Sequence, residues 1–158
     1  MNFTEQELEN KIRFLIKEKV IPRCKEIQLL ESKDITDIIC CNNSENPSVF
    51  FFIELKHYVL SNGRIGFGSK GKVTFQPEIL NTRSKYFEKK LRWIFCDENF
   101  KDYYILKNED CEKYIMGNRI SYNKQNNFRL DIFKEEKRYD ENELCQYLID
   151  WFSVKNSS

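Results

Sequence analysis

The sequence predicts a mixed α/β domain, on three observations. An N-terminal helix carries its own start and stop signals, three β-prone apolar runs follow it, and a second capped helix lies near the C-terminus. At 158 residues, one domain over 1–158 is expected, because about 100–200 residues is the usual size of one. No internal repeat or long linker interrupts it.

The first helix, over 4–20, starts at a capping box in which Thr4 is followed by Glu7, with Phe3 and Leu8 as the hydrophobic staple. Leu8, Ile12, Leu15 and Ile16 recur at helical spacing, and Pro22 stops the helix at about Val20 or Ile21. Ile27–Leu30 and Ile35–Cys41 are the first two strands. The polar stretch Asn42–Ser48 is a turn, and Val49–Tyr58 is a third strand rich in aromatic and β-branched residues. Ser61–Lys72 holds four of the five glycines and reads as a flexible basic loop. Pro77 with Glu78 marks a helix start, with helical pattern running towards Phe95. Tyr103–Leu106 is a strand. Arg119–Tyr122 and Phe128–Phe133 form a hairpin across Asn123–Asn127. Asp140 with Glu143 is a second capping box, opening a helix through Leu144, Tyr147, Leu148, Trp151 and Phe152.

Composition excludes several classes. Twenty-six basic and 25 acidic residues leave a net charge of +1, so the chain is not a uniformly basic nucleic-acid coat protein. The six cysteines form no CxxC pair and there is one histidine, so no zinc site is expected and the thiols read as reduced core residues. The longest apolar run, Val49–Ile53, is far short of the ~20 residues of a membrane span. Met1–Asn10 is polar and acidic, unlike a signal peptide. A cytoplasmic protein with no membrane partner is expected.

Chemistry concentrates in Asp37 and Glu54-Leu55-Lys56. Alternate residues of a strand share a face, so Glu54 and Lys56 point together while Leu55 points into the core. Asp37 lies in the neighbouring apolar run, and pairing of the two strands brings two carboxylates and one ammonium together at a sheet edge. Acids in apolar surroundings need a partner or a cation, and a divalent ion relieves the repulsion of two carboxylates. Mg²⁺ prefers one or two carboxylates, waters and phosphate oxygens, and the Leu55 carbonyl adds a backbone ligand. Lys56 would serve an attacking water or the transition-state charge. The plainer alternative is a surface ion pair of Glu54 and Lys56 on an edge strand, with Asp37 solvated. His57 faces away from the pair and is expected to be a packed residue.

These residues and their order resemble the PD-(D/E)xK nuclease superfamily, and most closely a small type II restriction endonuclease. The resemblance covers about 4–106 as pattern, with Asp37, Glu54 and Lys56 as its specific residues; Thr36 stands where the motif has Pro. It implies a restriction-endonuclease-like fold, a central mixed β-sheet flanked by helices, with the hairpin and helix of about 117–154 added to the core. It also implies a Mg²⁺-dependent endonuclease (Mn²⁺ substituting) that hydrolyses phosphodiester bonds of double-stranded DNA. Asp37 and Glu54 are then metal ligands with Leu55, and Asp37, Glu54 and Lys56 the catalytic set. Many members support the metal with a glutamate on the first helix; Glu5, Glu7, Glu9 and Glu18 are all available. Double-strand cutting at a symmetric site calls for a homodimer. A Holliday-junction resolvase or repair nuclease of the same fold, and a non-catalytic DNA-binding module, are the alternatives.

Ser61–Arg92 carries eight basic residues against Glu78 and Glu88. Arg64, Lys70, Lys72, Gln76, Arg83 and Lys85 are the expected DNA contacts. Lys89, Lys90 and Arg92 read equally as DNA contacts or as a solvated helix face. Asn123–Asn127 is a candidate base reader, though a plain turn is the simpler reading. Gly66–Gly71 also fits G-x-G-x-x-G, and Gly66–Lys72 the first part of a P-loop. Val73 stands where a P-loop needs Ser or Thr, and the following residues are β-prone, so nucleotide binding is the weaker reading.

Overall fold

The computed structural model describes residues 5–31, 36–69, 89–117 and 125–153. Helix α1 spans Glu5–Leu15, continues as a π turn over Ile16–Val20, and ends in a 3₁₀ turn at Ile21–Arg23 that holds Pro22. Strands β1 (Ile27–Leu29), β2 (Ile38–Asn42) and β3 (Val49–Tyr58) form an antiparallel meander. Strand β4 (Arg64–Ser69) follows, then β5 (Leu91–Asp97), β6 (Tyr103–Leu106), α2 (Asn108–Gly117), β7 (Gln125–Arg129) and α3 (Glu141–Ser153).

Five strands make one mixed sheet in the order β1-β2-β3-β5-β6. Strand β3 is central and runs parallel to β5, with Glu54 opposite Trp93 and Lys56 opposite Phe95. Strands β4 and β7 form a separate antiparallel ribbon.

Helices α1 and α3 cover one face, where Leu8, Ile12, Leu148 and Phe152 meet Phe51, Ile53 and Leu55. On the other face, Phe67 of β4 and Cys111 of α2 join Phe52, Trp93 and Phe95. Burial on both faces explains why β3 and β5 are apolar almost throughout.

Several expectations are corrected. Leu91–Asp97 is a strand, not the end of a helix. All seven of its residues are buried, so it lacks the alternation that marks a half-exposed strand. The glycine-rich segment is not a loop as far as Ser69: it is strand β4, entered through Gly63 at φ 68°, a left-handed turn that suits glycine. Gly66 and Gly68 lie inside that strand, whereas both phosphate-binding motifs must open a helix. Phe128–Phe133 is not one hairpin strand. Strand β7 ends at Arg129 and Leu130–Lys134 is a 3₁₀ turn, while β7 pairs with β4. Gln125–Asn127 is thus strand rather than turn tip, and Asn127 is buried. Helix α2 was not expected. The Thr4 box, the segment from Pro77 to Glu88 and Arg119–Tyr122 lie outside the described residues.

The second capping box forms reciprocally. The Glu143 amide donates to Asp140 Oδ1 at 2.8 Å, and the Asp140 amide donates to Glu143 Oε1 at 3.2 Å. All six cysteines are buried and free. No described helix is long and apolar enough to cross a membrane.

Candidate active site

Strand β3 presents Glu54 and Lys56 on the face it shares with Phe52 and Tyr58, and Leu55 on the α1–α3 face. Glu54 is 3% exposed and Lys56 7%, so neither is a solvated edge residue. This disposes of the surface ion-pair alternative for the two of them.

Asp37 does not lie within a strand. It sits in a bend just before β2, whose pairing with β3 begins at Ile38 opposite Ile53. Beyond that point the β2 side of β3 has no described strand partner. Asp37 fills the gap with its side chain: the Leu55 amide donates to Asp37 Oδ2 at 2.8 Å. The site therefore lies not at the outer edge of the sheet but at a notch beside its central strand. A residue's N–H and C=O leave a strand on the same side, so the Leu55 carbonyl also faces this notch.

Asp37 faces Glu54 closely enough to raise the cost of ionising Glu54. Burial first, and then the Asp37 carboxylate, push the Glu54 carboxyl up to about 9. Asp37 is also raised, chiefly by burial and further by Glu5 and Glu9, against the pull of the Leu55 amide and Lys56. Without a cation, such a pair holds a proton at neutral pH.

The first helix supplies two acids. Glu5 Oε1 lies 3.4 Å from Lys56 Nζ. Glu9 is 5% exposed and pairs with Arg13 at 3.5 Å. Glu7 and Glu18 are exposed. Glu5 is exposed too, but it and Glu9 are the two that act on Asp37, so the four glutamates equivalent in sequence are sorted to these. Lys56 Nζ also stands 5.7 Å from the centroid of the Phe67 ring, which shields it from solvent.

Among the described residues, no group of three or more His, Cys, Asp or Glu side chains forms a ready-made metal site. The donor set is one buried and one half-buried carboxylate with a backbone carbonyl beside them. That fits a cation which keeps several waters, as Mg²⁺ does, and not an all-protein cage.

Of the expected DNA contacts, Arg64 is half-buried and donates from Nη1 to Asn127 Oδ1 at 2.6 Å, tying β4 to β7. Lys70, Lys72, Gln76, Arg83 and Lys85 lie outside the described residues. Lys90 and Arg92 do not form a solvated helix face. Lys90 Nζ stands 4.8 Å from the Phe51 ring centroid; Arg92 stacks on Trp151 and donates from Nε to the Tyr147 hydroxyl at 2.7 Å. His57 packs 5.8 Å from the Phe100 ring, and its Nε2 is buried with no partner among the described residues.

A cavity of about 470 Å³ opens beyond the end of β3, lined by Tyr58, Asp97, Asp102, Tyr104 and Arg129 among others. Three aspartates against one arginine and one lysine line it, which suits phosphate poorly. The carboxylate notch is the better-founded site.

Sequence reasoning missed Arg13, whose guanidinium reaches the Asp37 carbonyl at 2.9 Å. Its partners are 17 and 24 residues away along the chain, so no local pattern signals it. Compared with protein-family models, with curated proteins and with solved structures, the chain finds no match.

Proposed function

We propose that this chain is a divalent-metal-dependent endonuclease of the PD-(D/E)xK type, cutting double-stranded DNA in the manner of a type II restriction endonuclease. The observation that carries the reading is half-buried Asp37 beside buried Glu54, with Lys56 on the same face as Glu54. Two acids desolvated together are unfavourable without a cation, and such perturbed pairs mark functional sites. The order of elements supports the restriction-endonuclease-like fold: helix, antiparallel meander, then a strand parallel to the Glu54 strand.

Asp37, Glu54 and the Leu55 carbonyl would hold Mg²⁺ or Mn²⁺. When bound, the ion polarises a phosphodiester and lowers the pKa of a coordinated water. The chain's own residues do the rest. Glu54 gives up its proton as the cation is taken up. Lys56 exchanges Glu5 for the attacking water or a phosphate oxygen, and the Phe67 ring keeps bulk solvent from its ammonium. Glu5 and Glu9 add negative potential from the first helix. A second copy of the chain would supply the second cut of a duplex.

The test is cleavage of supercoiled plasmid by the full chain with Mg²⁺ or Mn²⁺. Lys56→Ala and Asp37→Ala are expected to lose at least about 100-fold in rate, the usual scale for a positioned acid–base group. Absence of cleavage by the wild type with both metals would refute the enzyme reading and leave the DNA-binding module. Discrete fragments support a restriction enzyme. Preference for branched DNA supports the resolvase.

A further inference from the structure

We infer that Arg13 is a positioning residue that holds Asp37 against Glu54. The inference rests on the reading of Asp37 and Glu54 as the metal-binding pair. Arg13 leaves α1 with a side chain 18% exposed. Its Nη1 donates to the Leu30 carbonyl at 2.9 Å, and its Nη2 to the Asp37 carbonyl at 2.9 Å. One planar group therefore ties the end of β1 to the residue that precedes β2. The Leu30 amide, bonded to the Ile39 carbonyl at 2.9 Å, locks the same two segments together.

The consequence for the site is geometric. Asp37 lies outside the β2–β3 ladder, so no strand pairing fixes its backbone. Two contacts hold it instead: its side chain accepts from the Leu55 amide, and its carbonyl accepts from Arg13. The Asp37 carboxylate, taken partly out of water beside Glu54, would otherwise turn out towards solvent. Arg13 opposes that from the backbone side, and Glu9 at 3.5 Å keeps the guanidinium over the carbonyls.

Packing alone does not explain this pose. Arg13 Nε is buried with no partner among the described residues, so the side chain serves the two carbonyls while leaving one of its own donors unmet. Lysine cannot replace it, because a single ammonium on a flexible stem does not span two carbonyls as a rigid fork does.

The test is amide hydrogen exchange in EDTA, read by NMR in the wild type, Arg13→Lys, Arg13→Gln and Asp37→Ala. The Leu55 amide reports the contact with Asp37. The Ile53 amide, two residues earlier on the same side of β3 and inside the ladder, is the internal control. Arg13→Lys is expected to speed exchange at Leu55 about tenfold or more while Ile53 keeps its protection, the scale of losing a bond to a charged group. Mn²⁺ affinity measured by calorimetry should fall by about 10–100-fold, as for outer groups that orient metal ligands.

Unchanged Leu55 exchange in both Arg13 variants, with Asp37→Ala releasing it, would overturn the inference. So would equal loss at Leu55 and Ile53 in every variant that folds. If the variants do not fold, the wild type still decides. Slowed rotation of the Arg13 guanidinium supports the clamp, and free rotation refutes it. A wild type that binds no metal and cuts no DNA would refute the proposed function, while the exchange data would still judge the clamp.

Discussion

Replacing Glu54 by Gln is expected to stabilise the metal-free protein, and increasingly so as the pH rises. The folded chain holds the Glu54 carboxyl at about 9, where its ordinary value is 4.5. Between those values the unfolded chain has released the proton and the folded chain has kept it. Stability therefore falls as the pH climbs through that window, by about 1.4 kcal/mol per pH unit for this group. Gln carries no such proton and fits nearly the same volume. The variant should match the wild type within ~1 kcal/mol near pH 5 and exceed it by about 3 kcal/mol at pH 7. For a domain this size, that gain is roughly 6–12 °C in melting temperature. It is a large share of the ~5–15 kcal/mol that holds a typical domain together. The assay is thermal and urea unfolding of both proteins in EDTA at pH 5, 6, 7 and 8. A difference that stays flat across the series would refute the reasoning, because a carboxyl with an ordinary pKa gives no slope. A variant less stable at every pH would show instead that Glu54 is favourably ionised.

Two further outcomes concern the scaffold. Asp140→Ala removes one half of the reciprocal cap on α3 and should lower stability by about 1 kcal/mol in urea unfolding, with Asp140→Asn nearly neutral. A thiol reagent at pH 8 should label none of the six cysteines rapidly until the protein is unfolded. All six are buried, and burial pushes the Cys40 thiol up to about 12. Rapid labelling of the native protein would contradict the packing of β2.

The parts legible in the sequence are those whose causes are local. The Glu54–Lys56 alternation needs only the period of a strand, and the Asp140–Glu143 cap only a spacing of three. The parts that were illegible depend on residues far apart. Leu91–Asp97 hides its strand character because both its faces are buried. The glycines of β4 suggested a loop because nothing nearby signals the ribbon with β7, some sixty positions further on. Asp37 looked like a strand residue because its run is apolar. The chain bends there, and its carboxylate takes the place of a strand partner for Leu55. Helix α2 escaped notice, although its acidic first turn favours a helix start, because its few apolar residues make a weak pattern. The choice among four first-helix glutamates needed the fold, since only Glu5 and Glu9 approach the notch.

The most direct test of the central claim, that Asp37 and Glu54 form a cation site, is calorimetric titration of Mn²⁺ into the intact protein. It should be run in two buffers of different ionisation enthalpy at pH 7. One ion is expected to bind with release of close to one proton, and Asp37→Asn and Glu54→Gln should each abolish binding. Affinity should rise with pH towards 9. Binding that survives both substitutions, or that releases no proton, would contradict the claim.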